Sequence, residues 1–156
     1  MIYLGIDPGA KGAAVAIILG KISDICRFDK TTESEVSDFL LNLAWGDVFC
    51  MIEKLQPMPA FLGKEGSGMR GSISSFKVGQ SYGFLRGLLT AHGIPFEEVR
   101  AQDWQKAMGC RSKGDKRITR ARAQQLFPSE KVIHVTADAM LIAEYCRRTL
   151  QERGGR

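Results

Sequence analysis

Cysteine is sparse and scattered: Cys26, Cys50, Cys110 and Cys146 form no Cys-x-x-Cys pair, and no histidine stands at zinc-finger spacing from them. A zinc finger is excluded, a disulfide framework is not suggested, and a reducing compartment fits this usage. Long apolar runs are missing too. The longest uncharged one, Ala13 to Leu19, falls far short of the roughly 20 residues that cross a bilayer, and no basic segment with a cleavage site precedes it. A membrane-spanning or secreted protein is not expected. Histidine is limited to His92 and His134, and no internal repeat occurs.

What is present is an ordinary globular composition. The 156 residues, 44% hydrophobic and 25% charged, suit one core, and two separately stable enzyme lobes would not fit. A single domain over 1–150 with a frayed tail at 151–156 is expected. The net charge of +5 is unevenly placed: residues 1–99 carry 9 basic and 11 acidic groups, residues 100–156 carry 13 and 6. A basic half favours a polyanionic partner such as nucleic acid, with a solvated cationic face as the plain alternative.

Ile2 to Ile6 and Ala13 to Leu19 read as strands ending at turn signals, and Ile22 to Phe28 as a third, so short connections make an antiparallel meander. Thr32-x-x-Glu35 is a capping box, followed by Val36, Phe39, Leu40, Leu43 and Ala44 at helical spacing. Val48 to Ile52 is a short apolar strand that delivers Glu53 at its end. Residues 56–75 are too rich in glycine, proline and serine for a regular element, and so long a loop is usually functional or mobile. A helix from about Ser75 to His92 carries Gly79, Gly83 and Gly87 in one row; each glycine costs roughly 1 kcal/mol against alanine, so something must approach that face closely. Pro95 to Val99 is a fifth strand. Asp115 caps a helix ending at Phe127-Pro128, and Thr136 caps a last helix to about Arg148. The order β-β-β-α-β-α-β-α-α describes an α/β fold: a ribonuclease H-like mixed five-stranded sheet, a three-strand meander plus parallel strands, flanked by helices.

The informative pattern is three acids at element ends: Asp7, Glu53 and Asp138. If the first and fourth strands are parallel neighbours, their C-terminal ends coincide and the carboxylates converge. Hard oxygen ligands at an open site suit Mg²⁺ or Mn²⁺, and paired ions about 4 Å apart activate water and stabilise the leaving oxygen in phosphodiester cleavage. Taken singly, Asp7 also suits an Asp-Pro-Gly turn and Asp138 a helix N-terminus. His134, four residues before Asp138, is a candidate ligand or proton shuttle. His92 reads as a helix-end residue favoured by the dipole.

Gly5-Ile6-Asp7-Pro8-Gly9, Ile52-Glu53-Lys54, Phe76 to Gly83 and Ala137 to Ala143 together resemble the RuvC-type Holliday junction resolvases over residues 1–148. The segment from Phe127-Pro128 to Ala143 is most similar to the plastid and phage-borne branch. The resemblance implies a homodimer that binds a four-way DNA junction and makes two symmetric nicks with Mg²⁺, for which Mn²⁺ substitutes. Asp7, Glu53 and Asp138 match the acidic ligands. Bacterial members place a fourth ligand three residues before the last acid; that position is Val135 here, and His134 stands one residue earlier. A bacterial or phage-infected cytoplasm is expected, or a plastid if a transit peptide has been removed.

From Lys106 to Arg122 the chain carries Lys106, Arg111, Lys113, Lys116, Arg117, Arg120 and Arg122 against Asp115 alone, a stretch that favours phosphate binding over a solvated face. The resemblance gives functional lysines in this region, with Lys116 the best match. In the loop after Glu53, Met58, Phe61 and Met69 suit wedging against unstacked bases, and Lys64 and Arg70 suit phosphate; Phe61 folding into the core is the alternative. Phe76 and Lys77 would line the same groove. The glycine row suits either close packing on the sheet or a twin helix in a dimer. Competing readings are a ribonuclease H-like nuclease acting on another branched DNA or a hybrid, and a non-catalytic junction-binding protein. An actin-like phosphotransferase needs a second lobe that this length does not supply.

Overall fold

A computed structural model describes residues 1–9, 11–55, 68–111 and 114–154, with only the backbone over 68–75. The strands are β1 (Ile2–Asp7), β2 (Ala13–Ile18), β3 (Lys21–Arg27), β4 (Val48–Glu53) and β5 (Phe96–Val99). They form one sheet in the order β3-β2-β1-β4-β5. The first three make the antiparallel meander, and β4 runs parallel to both β1 and β5. The helices are α1 (Glu33–Ala44), α2 (Gly68–Ala91), α3 (Ala101–Ala107), α4 (Lys116–Leu126) and α5 (His134–Gly154).

Side-chain alternation divides the core into two layers. Leu4, Ile6, Ala14, Ala16, Val48, Cys50 and Ile52 meet Val36, Leu40, Leu85 and Leu89 of α1 and α2. Val15, Ile17 and Met51 point the other way, to Trp104, Met108, Ala123 and the apolar face of α5. The same parity sends Asp7 and Glu53 to the α5 face, because they follow Gly5 and Met51 by two residues. All four cysteines are buried and unpaired. Among the described residues no helix is long and apolar enough to cross a membrane.

The Thr32 capping box is present in full: the Thr32 hydroxyl accepts from the Glu35 N–H, and the Glu35 carboxylate accepts from the Thr32 N–H. Asp115 caps α4 by accepting from the Arg117 N–H at 2.9 Å. Elsewhere the elements differ from expectation. Helix α2 begins at Gly68, inside the segment whose composition argued against regular structure; adding residues to an existing helix gains one bond per residue, whereas only nucleation is costly. Helix α3 was not expected. Its N-cap Arg100 makes no side-chain cap, and its seven residues are too few to show a periodicity; the buried Trp104 holds it. Helix α5 starts at His134, so Thr136 lies within its first turn and donates to the Ile133 carbonyl. The helix runs on to Gly154 instead of fraying at 151, and Arg153 pairs with Glu97 of β5 at 2.7 Å.

Candidate active site

Asp7 closes β1 and Glu53 closes β4. The parallel register Ile6↔Ile52 sets these two carboxylates side by side at the C-terminal edge of the sheet. Asp138 comes from α5, which packs directly on β1. A Cβ on Gly5 would stand 2.5 Å from the Ala139 carbonyl oxygen and closer still to the Ala143 nitrogen. Only glycine lets the helix backbone approach so far, and that approach brings Asp138 over Asp7 and Glu53. The turn after β1 is held twice. The Gly9 N–H donates to Asp7 Oδ1 at 3.3 Å, and the Ser81 hydroxyl of α2 donates to the Pro8 carbonyl at 2.9 Å. Asp7 is therefore both the turn residue and a member of the cluster.

Each acid feels the others. Burial pushes the Asp7 carboxyl above its ordinary range, the Asp138 charge adds to this, and the Gly9 N–H and Lys116 oppose it. Burial is also the main cause that lifts Glu53 to about 7; the Trp104 indole N–H, 2.8 Å from Oε2, lowers it, Asp7 and Asp138 raise it, and Lys116 lowers it. Asp138 Oδ2 lies 3.3 Å from Lys116 Nζ, while its Oδ1 is buried without a hydrogen-bond partner. Burial works against the Lys116 charge, but Asp138, Asp7 and Glu53 outweigh it and hold the ammonium above its ordinary value.

This donor set suits a hard divalent cation: carboxylate oxygens, one of them orphaned, in a pocket that penalises their negative charge. Among the described residues no three His, Cys, Asp or Glu side chains are yet gathered into a metal cage. Lys116 pairs with Asp138 in this arrangement, and its charge also acts on Asp7 and Glu53. The site opens beside Glu53 into a depression of about 280 Å³ lined by Lys54, Leu55, Arg100, Ala101 and Gln102.

The remaining candidates separate. His134, exposed at the start of α5, lines a shallow depression with Arg117, Arg120, Ala121 and Gln124. The acid its charge reaches is Asp115. It shares a helix face with Asp138 one turn on, and it is not among the groups that shift Asp7 or Glu53. Lys116, expected at phosphate, stands at the acids instead. Arg117 is 85% exposed and paired with Asp115. Arg120 donates to the Val132 carbonyl and Arg122 to the Met108 carbonyl, so part of the basic stretch braces α4 against its neighbours. Lys106 is exposed on α3, near Asp103. Phe76 is 67% exposed, and Lys77 lines a depression between α1 and α2 with Thr32, Gln80 and Ser81. Met58, Phe61, Lys64 and Lys113, and the side chains of Met69 and Arg70, lie outside the described residues. Gly79, Gly83 and Gly87 are exposed, and among the described residues a Cβ on any of them would meet nothing within 4 Å. Packing on the sheet is thereby excluded as the reason for the row. His92 shares a hydrogen bond with Ser37 of α1 at 3.1 Å.

Trp104 escaped the sequence reading. The available signal was the apolar pair Trp104 and Met108 at i, i+4 behind Asp103, which marks a short amphipathic helix.

No protein-family model and no curated protein matches the chain. Solved structures do match. A Thermus thermophilus RuvC structure aligns with a TM-score of 0.60 at 14% identity, over 99% of this chain and 97% of that one. The structure of T. thermophilus RuvC in complex with Holliday junction substrate aligns with a TM-score of 0.60 at 16% identity, over 99% and 96%. Identities this low carry architecture alone, and the alignment spans nearly the whole of both chains: this chain has the RuvC-type, ribonuclease H-like fold.

Proposed function

We propose that this protein is a divalent-metal-dependent endodeoxyribonuclease that resolves four-way DNA junctions by paired nicks, working as a homodimer. The observation that carries the reading is the convergence of Asp7, Glu53 and Asp138 at the C-terminal edge of a RuvC-type sheet, where each charge raises the cost of the next. The similar T. thermophilus protein was solved in complex with Holliday junction substrate, which supports the choice of DNA substrate. The sequence around His134 suggests the plastid and phage-borne branch.

In this reading Asp7, Glu53 and Asp138 hold Mg²⁺, or Mn²⁺ in its place, and the metal supplies water activation and stabilisation of the leaving oxygen. The protein's own groups do the rest. Trp104 fixes the Glu53 carboxylate through its indole N–H, so one oxygen is oriented while the other stays open to the site. The Gly9 N–H does the same for Asp7. His134 is exposed one helical turn before Asp138, and in this reading it is assigned the exchange of a proton with solvent. Lys54 and Arg100 border the depression beside Glu53 and favour an approaching phosphate backbone. Lys106, Arg117 and Arg120 extend the positive surface, with Lys113, Phe76, Lys77 and the 56–70 segment assigned to the junction itself. The exposed glycine row on α2 is the face where a second copy would pack, and an isologous pair would present two sites matched to the junction's own two-fold symmetry.

Replacing Asp7 by Asn tests the reading. Nicking of a four-way junction should disappear while binding survives or tightens, because the acids repel phosphate. Nicking by D7N at the wild-type rate would sink the assignment. Equal binding of junction, linear duplex and RNA–DNA hybrid would point to a ribonuclease H-like nuclease of other specificity. Binding without nicking in both Mg²⁺ and Mn²⁺ across pH would make the chain a junction-binding protein.

A further inference from the structure

Among the described residues Lys116 is the cation that acts on Asp7 and Glu53 and also pairs with Asp138. Its backbone is fixed at the start of α4 by the Asp115 cap, yet its side chain is 59% exposed, whereas that of Asp138 is 14% exposed. The ammonium has three donors, and at 3.3 Å it reaches one Asp138 oxygen; among the described residues Asp138 Oδ1 has no hydrogen-bond partner. One flexible monovalent cation therefore only partly compensates a cluster of three acids. A divalent ion brings twice the charge and fixed oxygen coordination, and an ion seated at Asp138 would repel an ammonium held 3.3 Å from Oδ2 of the same carboxylate.

We propose that Lys116 is the resident counter-ion of the acid cluster and that an entering divalent cation displaces it, so that this one side chain sets the metal affinity of the site. The inference rests on the metal-dependent reading above and adds to it a competitor encoded in the chain. Arg117 supplies a contrast. It carries the same charge one residue on, but its partner is Asp115, outside the cluster.

The test is Mn²⁺ binding to the intact protein without DNA, followed by the loss of the free-ion electron paramagnetic resonance signal in wild type, K116Q, K116R and R117Q, each first checked by circular dichroism for native helix content. K116Q should bind Mn²⁺ about tenfold more tightly than wild type, equivalent to about 1.4 kcal/mol. K116R, which keeps the charge, and R117Q should stay within about twofold of wild type. Equal or weaker binding by K116Q overturns the proposal while leaving the metal site intact, as does an equal gain in R117Q, which would reduce the effect to general surface charge. Absence of Mn²⁺ binding in every variant at millimolar concentration would overturn the metal-dependent reading as well.

Discussion

Replacing Glu53 by Gln should stabilise the protein at pH 8 and leave its stability near pH 4.5 unchanged. The folded chain holds the Glu53 proton up to about 7, against an ordinary value of 4.5. Below 4.5 the group is protonated in both the folded and the unfolded chain and contributes nothing to pH dependence. Between 4.5 and 7 the folded chain keeps a proton that the unfolded chain has released, so stability falls as pH rises through this window. Above about 7 the full cost of burying the ionised group is present. At 1.36 kcal/mol per pH unit, the separation corresponds to about 3 kcal/mol. Gln carries no charge at any of these pH values and retains an oxygen to accept from Trp104 Nε1, so it removes the electrostatic cost while preserving the shape. Urea unfolding of wild type and E53Q in chelator should therefore give curves that coincide near pH 4.5 and separate by about 3 kcal/mol by pH 8, with E53Q the more stable and inactive in nicking. A gap independent of pH, or an E53Q protein less stable than wild type at pH 8, would refute the claim that burial and neighbouring acids strain this carboxyl.

Two further substitutions probe the scaffold. Gly5→Ala places a methyl against the backbone of Ala139 and Ala143, which cannot yield by changing rotamer, so α5 must move; a loss of about 3 kcal/mol, at the upper end of the usual overpacking range, is expected in urea titration, together with weakened Mn²⁺ binding as Asp138 is displaced. At Gly83 an added Cβ meets nothing within 4 Å among the described residues, and Gly83→Leu trades a poor helix former for a good one, gaining up to about 1 kcal/mol. The folded protomer should be no less stable, and, if wild type is the dimer proposed above, size-exclusion chromatography should show wild type as a dimer and G83L as a monomer; a G83L protein that elutes as a dimer would place the interface elsewhere.

Sequence alone fixed what depends on local chemistry and on period. The apolar runs placed Asp7 and Glu53 at the ends of their strands, and the parallel pairing of β1 with β4 then made those ends neighbours. The Thr32–Glu35 box and the Asp115 cap were readable because the donors and acceptors that satisfy a helix end lie within three residues of it. Tertiary structure decided the rest. The bond from Trp104 to Glu53 spans 51 residues and joins a helix too short to announce itself, while the Lys116–Asp138 pair spans 22 and turns a presumed phosphate ligand toward the acids. Arg120 and Arg122, read from sequence as DNA-facing charge, also donate to the Val132 and Met108 carbonyls, a bracing role that no local pattern announces. Periodicity tells which way a side chain points from its own element; only the packing of distant elements determines which partner stands there, and long charged side chains go where burial has left an unmet acid or carbonyl.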